Sequence, residues 1–300
     1  MRRKYYLLDV FTEEALAGNP LAIVLDCDGL DTERMQKIAR EFNLSETVFV
    51  FDPRDSINTA RLRIFTPAKE LPFAGHPLIG TAVLLAELRA PELLNRQDVG
   101  LVLEAEIDEI ACDVRHDPGR GSKASFHLPK LPEKAGIAAA KSEIAAALAL
   151  AEEDIGFAGH EPSVYSAGLA LTFVPITSRA AIARAEPQTH LFGAAFAGAG
   201  AYLYTNETHD PKSAYHARMF APNLGVREDP ATGSAVAALA GVLMEYDKPG
   251  DGDHSFLIEQ GYEMDRPSQI TLGLEVAGRL LVSAVIAGSA VILAQGVIDL

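Results

Sequence analysis

Two apolar segments of the chain, residues 78–88 and 235–244, have no continuous polar face. Glu87 is the only charged residue in either segment. A helix that is apolar nearly all the way round is buried in a core rather than laid on a surface. The pattern therefore predicts two buried helices, one in each half of the chain.

Shorter apolar segments rich in β-branched and aromatic residues surround them and predict strands. A helical spacing after Asp31 predicts a surface helix that Asp31 caps. Residues 115–124, with Pro118, Gly119 and Gly121, are typical of a linker. The tail predicts a hairpin of residues 279–286 and 290–297, with Gly288-Ser289 at its turn. Several short strands and one buried helix in each half indicate the α+β class rather than regular β-α alternation.

A motif occurs twice, once before each buried helix. Its first part, R-x-F-x-P, covers residues 63–67 and 218–222, and its second part, [HD]-P-x-x-G-[ST]-A-V, covers residues 76–83 and 229–236. Identities that keep register across both parts predict an internal duplication. In this alignment Pro77 and Pro230 both open a helix, a position that suits the fixed φ of proline.

The predicted helix starts carry the candidate binding residues. Free N–H groups and the positive end of the dipole make such N-termini anion sites, whereas the plainer interpretation is that Ser, Thr and Asp there only cap the helices. Another candidate is Glu46, which stands where a predicted strand leaves a turn. Taken alone, a glutamate in that position is typically solvated.

The composition excludes several classes of partner. A net charge of −15 and a pI of about 4.9 argue against nucleic acid and anionic membrane surfaces. Two cysteines, Cys27 and Cys112, cannot form a disulfide framework and fit a reducing compartment. The N-terminal segment turns polar at Asp9, before a signal-peptide apolar region could form, and no apolar run reaches the ~18 residues of a membrane span. We therefore expect a cytoplasmic protein.

Known motifs for nucleotide, metal and serine chemistry are absent from the sequence. There is no G-x-x-x-x-G-K-[ST] loop, no G-x-G-x-x-G after a strand, no H-E-x-x-H and no G-x-S-x-G. The eight histidines show no metal-ligand spacing. We expect neither a metal nor an organic cofactor.

With these residues in view, the chain resembles the phenazine-biosynthesis isomerase-like (PhzF-like) family of the diaminopimelate epimerase-like fold. The matching stretches are residues 9–11 with 18–20, 45–47, 65–67 with 75–76, 228–234, and 287–290 with Gly296. The resemblance implies two similar domains, each a barrel-like, mostly antiparallel or mixed sheet around one central helix, with the helix N-termini facing a common cleft. The expected domains are residues 1–118 with about 280–300, and residues 119–279. It also leads us to expect a homodimer.

The resemblance also implies roles for individual residues. The residue matching Glu46 is the acid/base that moves a proton on a small cyclic or conjugated carboxylic acid. The residues matching His76 and Asp229 assist it. Substrate binding falls to residues matching Gly75, Gly233 and Ser234, and Asn19 is either a further member or simply a turn asparagine. A carboxyl group shielded from water suits both directions of such a transfer.

One departure separates the branches of this fold. Its epimerases and racemases use two cysteine thiols, one from each domain, but neither helix-start motif here contains a cysteine. A one-base isomerase is thus favoured over a two-cysteine racemase. A binding protein with the same site and no turnover remains as the alternative from another class.

Overall fold

The computed structural model describes residues 2–118, 121–196 and 200–300, and the chain forms two compact units. Unit 1 comprises Met1–Pro129 and Ala287–Leu300, and unit 2 comprises Lys130–Ile286. Both units combine short strands with helices, so the predicted α+β class is confirmed. None of the helices in the described ranges is long and apolar enough to cross a lipid bilayer.

Unit 1 consists mainly of strands, most of which pack against one long buried helix. Its elements are β1 (Arg2–Val10), β2 (Asn19–Val24), α1 (Thr32–Phe42), β3 (Glu46–Phe51), β4 (Ala60–Phe65), β5 (Glu70–Leu71), α2 (Gly75–Arg89), α3 (Pro91–Leu94), β6 (Val99–Glu104), β7 (Glu109–Asp117) and β8 (Gly121–His127).

The strands of unit 1 follow one continuous ladder. β1 pairs with β2, β2 runs parallel to β3, β3 pairs with β4, β4 runs parallel to β6, and β6, β7 and β8 follow as antiparallel neighbours. Helix α2 contacts β1, β2, β3, β6, β7 and β8, and its residues 75–86 are all buried. The buried helix predicted from residues 78–88 is confirmed up to residue 86, whereas Leu88 in its last turn is 41% exposed.

Unit 2 is built in the same style. Its elements are β9 (Glu133–Gly136), α4 (Lys141–Leu148), β10 (Ser163–Ser166), β11 (Ala170–Pro175), α5 (Arg179–Arg184), α6 (Thr189–Ala195), β12 (Ala201–Thr205), β13 (Tyr215–Ala221), β14 (Val226–Asp229), α7 (Gly233–Tyr246), β15 (Gly252–Gln260), β16 (Ser268–Ala277) and β17 (Leu280–Asp299), with 3₁₀ turns at Glu152–Asp154, Pro222–Leu224 and Tyr262–Met264. The last part of β17 belongs to unit 1, where it pairs with β1.

The pairings within unit 2 repeat those of unit 1. β10 pairs with β11, β11 runs parallel to β12, β12 pairs with β13, β13 runs parallel to β15, and β15 pairs with β16. Helix α7 packs against β9, β10, β11 and β16, and residues 235–243 are buried, which confirms the second buried helix. The two units thus share the same order of strand pairings. The internal duplication that would explain this order stays a prediction.

The predicted hairpin at Gly288-Ser289 is wrong, because β17 runs unbroken from Leu280 to Asp299. Gly288 serves close packing instead of a turn: a Cβ there would lie 2.2 Å from the ring of Phe11. The hairpin turn falls at Gly278 and Arg279, which join β16 to β17 with φ of 58° and 64°.

The predicted linker over residues 115–124 is also wrong where the structure describes it. Residues 115–117 end β7 and residues 121–124 begin β8, while Gly119 and Arg120 lie outside the described residues. Ser122, Ala124 and Phe126 alternate as buried positions, so this segment is a half-buried strand despite its turn-forming residues. At α1 the prediction holds: Asp31 Oδ1 accepts the N–H of Arg34 at 2.7 Å.

Candidate active site

Glu46 is the first residue of β3, and its side chain is only 16% exposed. Phe49 and Phe51 pack with the apolar residues of α1 on one face of this strand. Because side chains alternate along a strand, Glu46 and Val48 lie on the opposite face, the side on which α2 packs. The glutamate is thus shielded rather than solvated.

His76 is the second residue of α2 and is 3% exposed. Its Nε2 lies 3.4 Å from Glu46 Oε2. The N-cap residue of α2 is Ala74, whose side chain cannot accept a hydrogen bond. The first N–H groups of the helix, at Gly75 and His76, are therefore not capped by it. Such uncapped N–H groups can bind an anion. Unit 1 therefore brings together Glu46, His76 and Gly75 at one helix start.

The contact between His76 and Glu46 has the length of a weak ion pair, but the imidazole is not charged at neutral pH. Burial lowers the pKa of His76 to about 3. The neutral ring has one nitrogen that donates and one that accepts. It can therefore stand beside the carboxyl group in either protonation state of Glu46 without adding a buried charge.

Neutral burial of His76 makes stability depend on pH. An unfolded histidine takes up its proton near pH 6.5, whereas the folded protein does so only near pH 3. Between these values the unfolded state binds one more proton, so the free energy of unfolding falls as the pH is lowered. We expect His76→Gln to remove this contribution, which has a slope of at most about 1.4 kcal/mol per pH unit.

Urea unfolding of wild type and His76→Gln at several pH values between 7 and 4 measures this effect. The stability of the wild type relative to the variant should decrease steadily towards low pH. A difference between the two proteins that does not change with pH would show that folding leaves the pKa of His76 unchanged, and would contradict the neutral burial of the ring.

Asn19 opens β2 and is fully buried. Leu21, two residues further, is the register partner of Glu46 on β3. A Cβ at Gly80 of α2 would lie 2.6 Å from the Leu21 side chain, so this face of β2 touches the helix closely. By alternation Asn19 is on the same face as Leu21. The asparagine is therefore on the helix-facing side of the sheet, not at an exposed turn.

In unit 2, Asp229 ends β14 and is held by a network that precedes α7. Its Oδ2 accepts the hydroxyl of Thr232 at 2.5 Å. The side chain of Gln260 donates to the Asp229 carbonyl at 2.7 Å and to the Thr232 hydroxyl at 3.1 Å, and it accepts the Thr232 N–H at 3.2 Å. Gln260 is fully buried, so these bonds fix the loop that leads into the helix.

The expected placement of Asp229 and Pro230 at a helix start is wrong, since α7 begins at Gly233. The structure gives a different register for the repeat. Residues 70–76, E-L-P-F-A-G-H, occupy the place of residues 228–234, E-D-P-A-T-G-S, each running from a short strand to the first turn of a buried helix. His76 thus corresponds to Ser234 and not to Asp229.

An ion pair supports this register. Arg63 forms a double hydrogen bond with Glu70, and Arg218 forms one with Glu228, at N···O distances of 2.5 to 2.9 Å. The two glutamates are the register partners of the phenylalanines in the R-x-F motif. The motif aligned from the sequence differs from this structural register by five residues in its second part. Small and apolar residues recur in both helices, so the G-[ST]-A-V segments match without being structurally equivalent.

Gly233 and Ser234 are the first two residues of α7, and its N-cap residue makes no side-chain cap bond. The α7 start is therefore also open to an anion.

Tyr202 shares a face with Asp229, because both are register partners of Met219. Burial and the Asp229 carboxylate raise the pKa of the Tyr202 hydroxyl well above its usual value, so the phenol stays protonated.

The two units differ chemically at equivalent positions. In the register of the R-x-F motif, Thr47 pairs with Phe65 and Ala201 pairs with Phe220, so the position of Glu46 in unit 1 is taken by Gly200 in unit 2. The second helix residue is His76 in one unit and Ser234 in the other. An ionisable pair at these two positions occurs in unit 1 alone among the described residues, which matches a one-base site better than a symmetric two-base site.

Neither cysteine provides a thiol base. Cys27 packs in the apolar cluster with α1, and its Sγ donates to the Val24 carbonyl at 3.2 Å. Cys112 is buried on β7. Burial raises the pKa of both thiols to about 12, so both are protonated at neutral pH. The structure gives no support to a two-cysteine mechanism.

Thr232 and Gln260 were missed by the sequence analysis. Thr232 lies inside the repeat motif but was passed over as a helix residue. Gln260 ends β15, 28 residues later, and nothing in this strand of mixed polarity marks its amide as a partner of Thr232. A contact over that sequence distance cannot be read from spacing.

Comparisons with known proteins identify the family of the chain. The sequence model of the family "Phenazine biosynthesis-like protein" matches residues 8–296. An uncharacterized isomerase of Mesorhizobium japonicum is 48% identical over 98% of both chains. The trans-2,3-dihydro-3-hydroxyanthranilate isomerase of Pseudomonas aeruginosa is 35% identical, also over 98% of both chains.

Solved structures agree at the level of the fold. The Bacillus anthracis phenazine biosynthesis protein of the PhzF family superposes with a TM-score of 0.89 and 26% identity over the whole of both chains. A hydroxyproline epimerase from Agrobacterium vitis, at 16% identity and a TM-score of 0.62, covers 99% of this chain and shares the fold alone. The expectation of an isomerase is confirmed as an enzyme class, and the chain belongs to the phenazine biosynthesis-like (PhzF) family.

Proposed function

We propose that the protein moves a proton on a small cyclic or conjugated carboxylic acid, with Glu46 as the general acid/base and no cofactor in the reaction. The observation that carries the proposal is the position of Glu46. Its shielded carboxyl group lies 3.4 Å from His76, at the uncapped start of a buried helix. A base, a neutral partner and an anion-binding element thus occur together.

The proposed reaction needs no oxidant or second substrate. Glu46 as a carboxylate removes a proton from one carbon, so that a C–H bond breaks and its electron pair spreads into the conjugated acid. The protonated Glu46 then returns the proton to another carbon of the same system, forming a new C–H bond. One base serves both steps because its carboxyl group stays beside the substrate, and its proton can exchange with solvent before it is returned, which brings solvent deuterium into the product.

Gly75 and His76 support the charge that develops on the substrate. Their backbone N–H groups at the start of α2 would bind the carboxylate onto which the electron pair spreads. The neutral His76 ring would donate to Glu46 or to the substrate. A donor that remains uncharged avoids the desolvation cost of a buried imidazolium.

We propose binding or assisting roles for the remaining residues that the family resemblance implies. Ser234 and Gly233 would bind the substrate through the hydroxyl and the N–H groups at the start of α7. Asp229, held by Thr232, would assist, and Asn19 would bind a polar group of the substrate. These roles are supported by the uncapped start of α7, by the hydrogen bond from Thr232 to Asp229, and by the burial of Asn19.

The substrate class follows from this chemistry. The Pseudomonas aeruginosa relative is named for trans-2,3-dihydro-3-hydroxyanthranilate, a cyclic conjugated acid, which makes that compound the first to test. At 35% identity the same reaction type is expected, and a different acid of the same class is equally compatible with the site.

Solvent deuterium exchange tests the proposal. The wild-type protein in D₂O should incorporate deuterium at carbon into at least one member of a panel of cyclic and conjugated carboxylic acids headed by that compound. Mass spectrometry and NMR would locate the label. Saturated acids of the same size, which cannot delocalise the electron pair, should bind without exchange.

A carboxylate-binding protein without turnover is the alternative, and the uncapped helix starts would serve it equally well. It predicts that members of the panel bind measurably and that none of them exchanges hydrogen at carbon. Binding without exchange across the whole panel would contradict the isomerase proposal.

A further inference from the structure

A cluster of nitrogen and oxygen donors in unit 2 is formed by residues that have no role in the proposed proton transfer. His209 precedes β13, His216 is on β13, and Glu259 is on β15. One ligand atom from each of these residues lies within 4.8 Å of the others. The neighbouring strands explain the arrangement, since His216 and Glu259 are register partners in the β13–β15 ladder.

The cluster has the outer hydrogen bonds of a metal site. His216 Nδ1 lies 3.0 Å from Glu259 Oε1, and its other ring nitrogen, Nε2, lies 2.9 Å from Glu263 Oε1. Metal-binding histidines commonly give their second nitrogen to a carboxylate in this way, which fixes the orientation of the ring. Glu259 is oriented as well, because its Oε2 accepts the N–H of Asp210 at 3.0 Å.

The cluster is accessible from one side. His216 and Glu259 are fully buried, but His209 is exposed and stacks on Tyr262 with ring centroids 4.4 Å apart. His209 and Tyr262 also line a surface pocket of about 470 Å³ together with Arg179 and Glu207. A cation could reach the donors through this pocket and keep water on its open side.

We propose that His209, His216 and Glu259 bind a divalent transition-metal cation of the zinc type. Two imidazole nitrogens and one carboxylate oxygen are donors that Zn²⁺ accepts, with water completing the coordination. The nearby carboxylates of Glu207 and Glu263 offset the positive charge. The ion would join the loop before β13 to β15, and it takes no part in the proposed proton transfer.

Zinc titration of the protein after chelator treatment tests this proposal. By calorimetry the wild type should bind one Zn²⁺ per chain, and the ion should raise the unfolding temperature. His209→Ala, a change at an exposed side chain, should weaken the affinity at least about 10-fold and remove the thermal shift. His190→Ala, an exposed histidine elsewhere in unit 2, should behave as the wild type.

Co²⁺ gives a second readout. Its visible absorption should appear with the wild type and His190→Ala and be lost with His209→Ala. Two outcomes would overturn the proposal: no zinc binding by the wild type, which would leave only a proton shared between His216 and Glu259, or equal zinc affinity in the wild type and His209→Ala. Neither bears on Glu46, because isomerase activity is measured separately.

Discussion

Replacing Glu46 with glutamine should lower kcat for the isomerised acid by about 10³-fold, within the range that a positioned general acid/base contributes. The amide has the size of the carboxyl group but cannot accept a proton from carbon. Because the shape beside His76 is kept, KM should change little. Steady-state kinetics on whichever acid shows exchange with the wild type measures both constants.

A matched control lies five residues away. Glu41 is an exposed glutamate on α1, and Glu41→Gln makes the same chemical change in the same unit away from the site. Its kcat should equal that of the wild type. Activity of Glu46→Gln within 10-fold of Glu41→Gln would assign the proton transfer to another group.

Replacing Arg218 with alanine should destabilise the protein by about 3 kcal/mol, as expected when one partner of a buried ion pair is removed. The guanidinium is only 9% exposed and forms two bonds with Glu228. It also donates to the carbonyls of Ile182 and Ala185, both at 2.9 Å. Without it, Glu228 and two carbonyls lose their partner. Urea unfolding measures the change.

The chain contains two controls for this experiment. Arg63 forms the same pair of hydrogen bonds with Glu70, but its side chain is 25% exposed. Arg63→Ala should therefore lower the free energy of unfolding by only about 1 kcal/mol. Arg227 pairs with Glu186 on the surface, and Arg227→Ala should leave stability nearly unchanged. Equal losses for Arg218→Ala and Arg227→Ala would mean that burial adds nothing to the inner pair.

The buried helices could be predicted because their signal is local. Residues 78–88 and 235–244 lack a polar face, and burial on all sides follows from that alone. The cap at Asp31 was predictable for the same reason, since cap and helix are adjacent in sequence. Glu46 at the start of a strand was also read correctly, but its shielding was not, because burial depends on what packs above the strand.

Features that depend on distant contacts could not be read from the sequence. Gly288 is a residue type common in turns, but its role is set by close packing against the ring of Phe11, which follows β1. The repeat register was misjudged because small apolar residues align in several ways within a helix. The strand partners and the ion pairs, which cannot be read from the sequence, set the register of the repeat so that His76 matches Ser234.

The site chemistry followed the same division. Gly75, Gly233 and Ser234 stand at helix starts, but the motifs had placed these starts at Pro77 and Pro230, two residues later and three residues earlier than in the structure. The approach of His76 to Glu46, 30 residues away in sequence, required the fold. The cluster of His209, His216 and Glu259 could not be predicted from metal-ligand spacing, because Glu259 joins it through strand pairing alone.

Deuterium uptake by a saturating, exchangeable acid in D₂O, compared between wild type and Glu46→Gln, tests the role of Glu46 most directly. Binding of the same acid is measured in parallel. We expect both proteins to bind the acid and only the wild type to place deuterium on its carbon. Equal rates of uptake in the two proteins would contradict the assignment of Glu46 as the group that carries the proton.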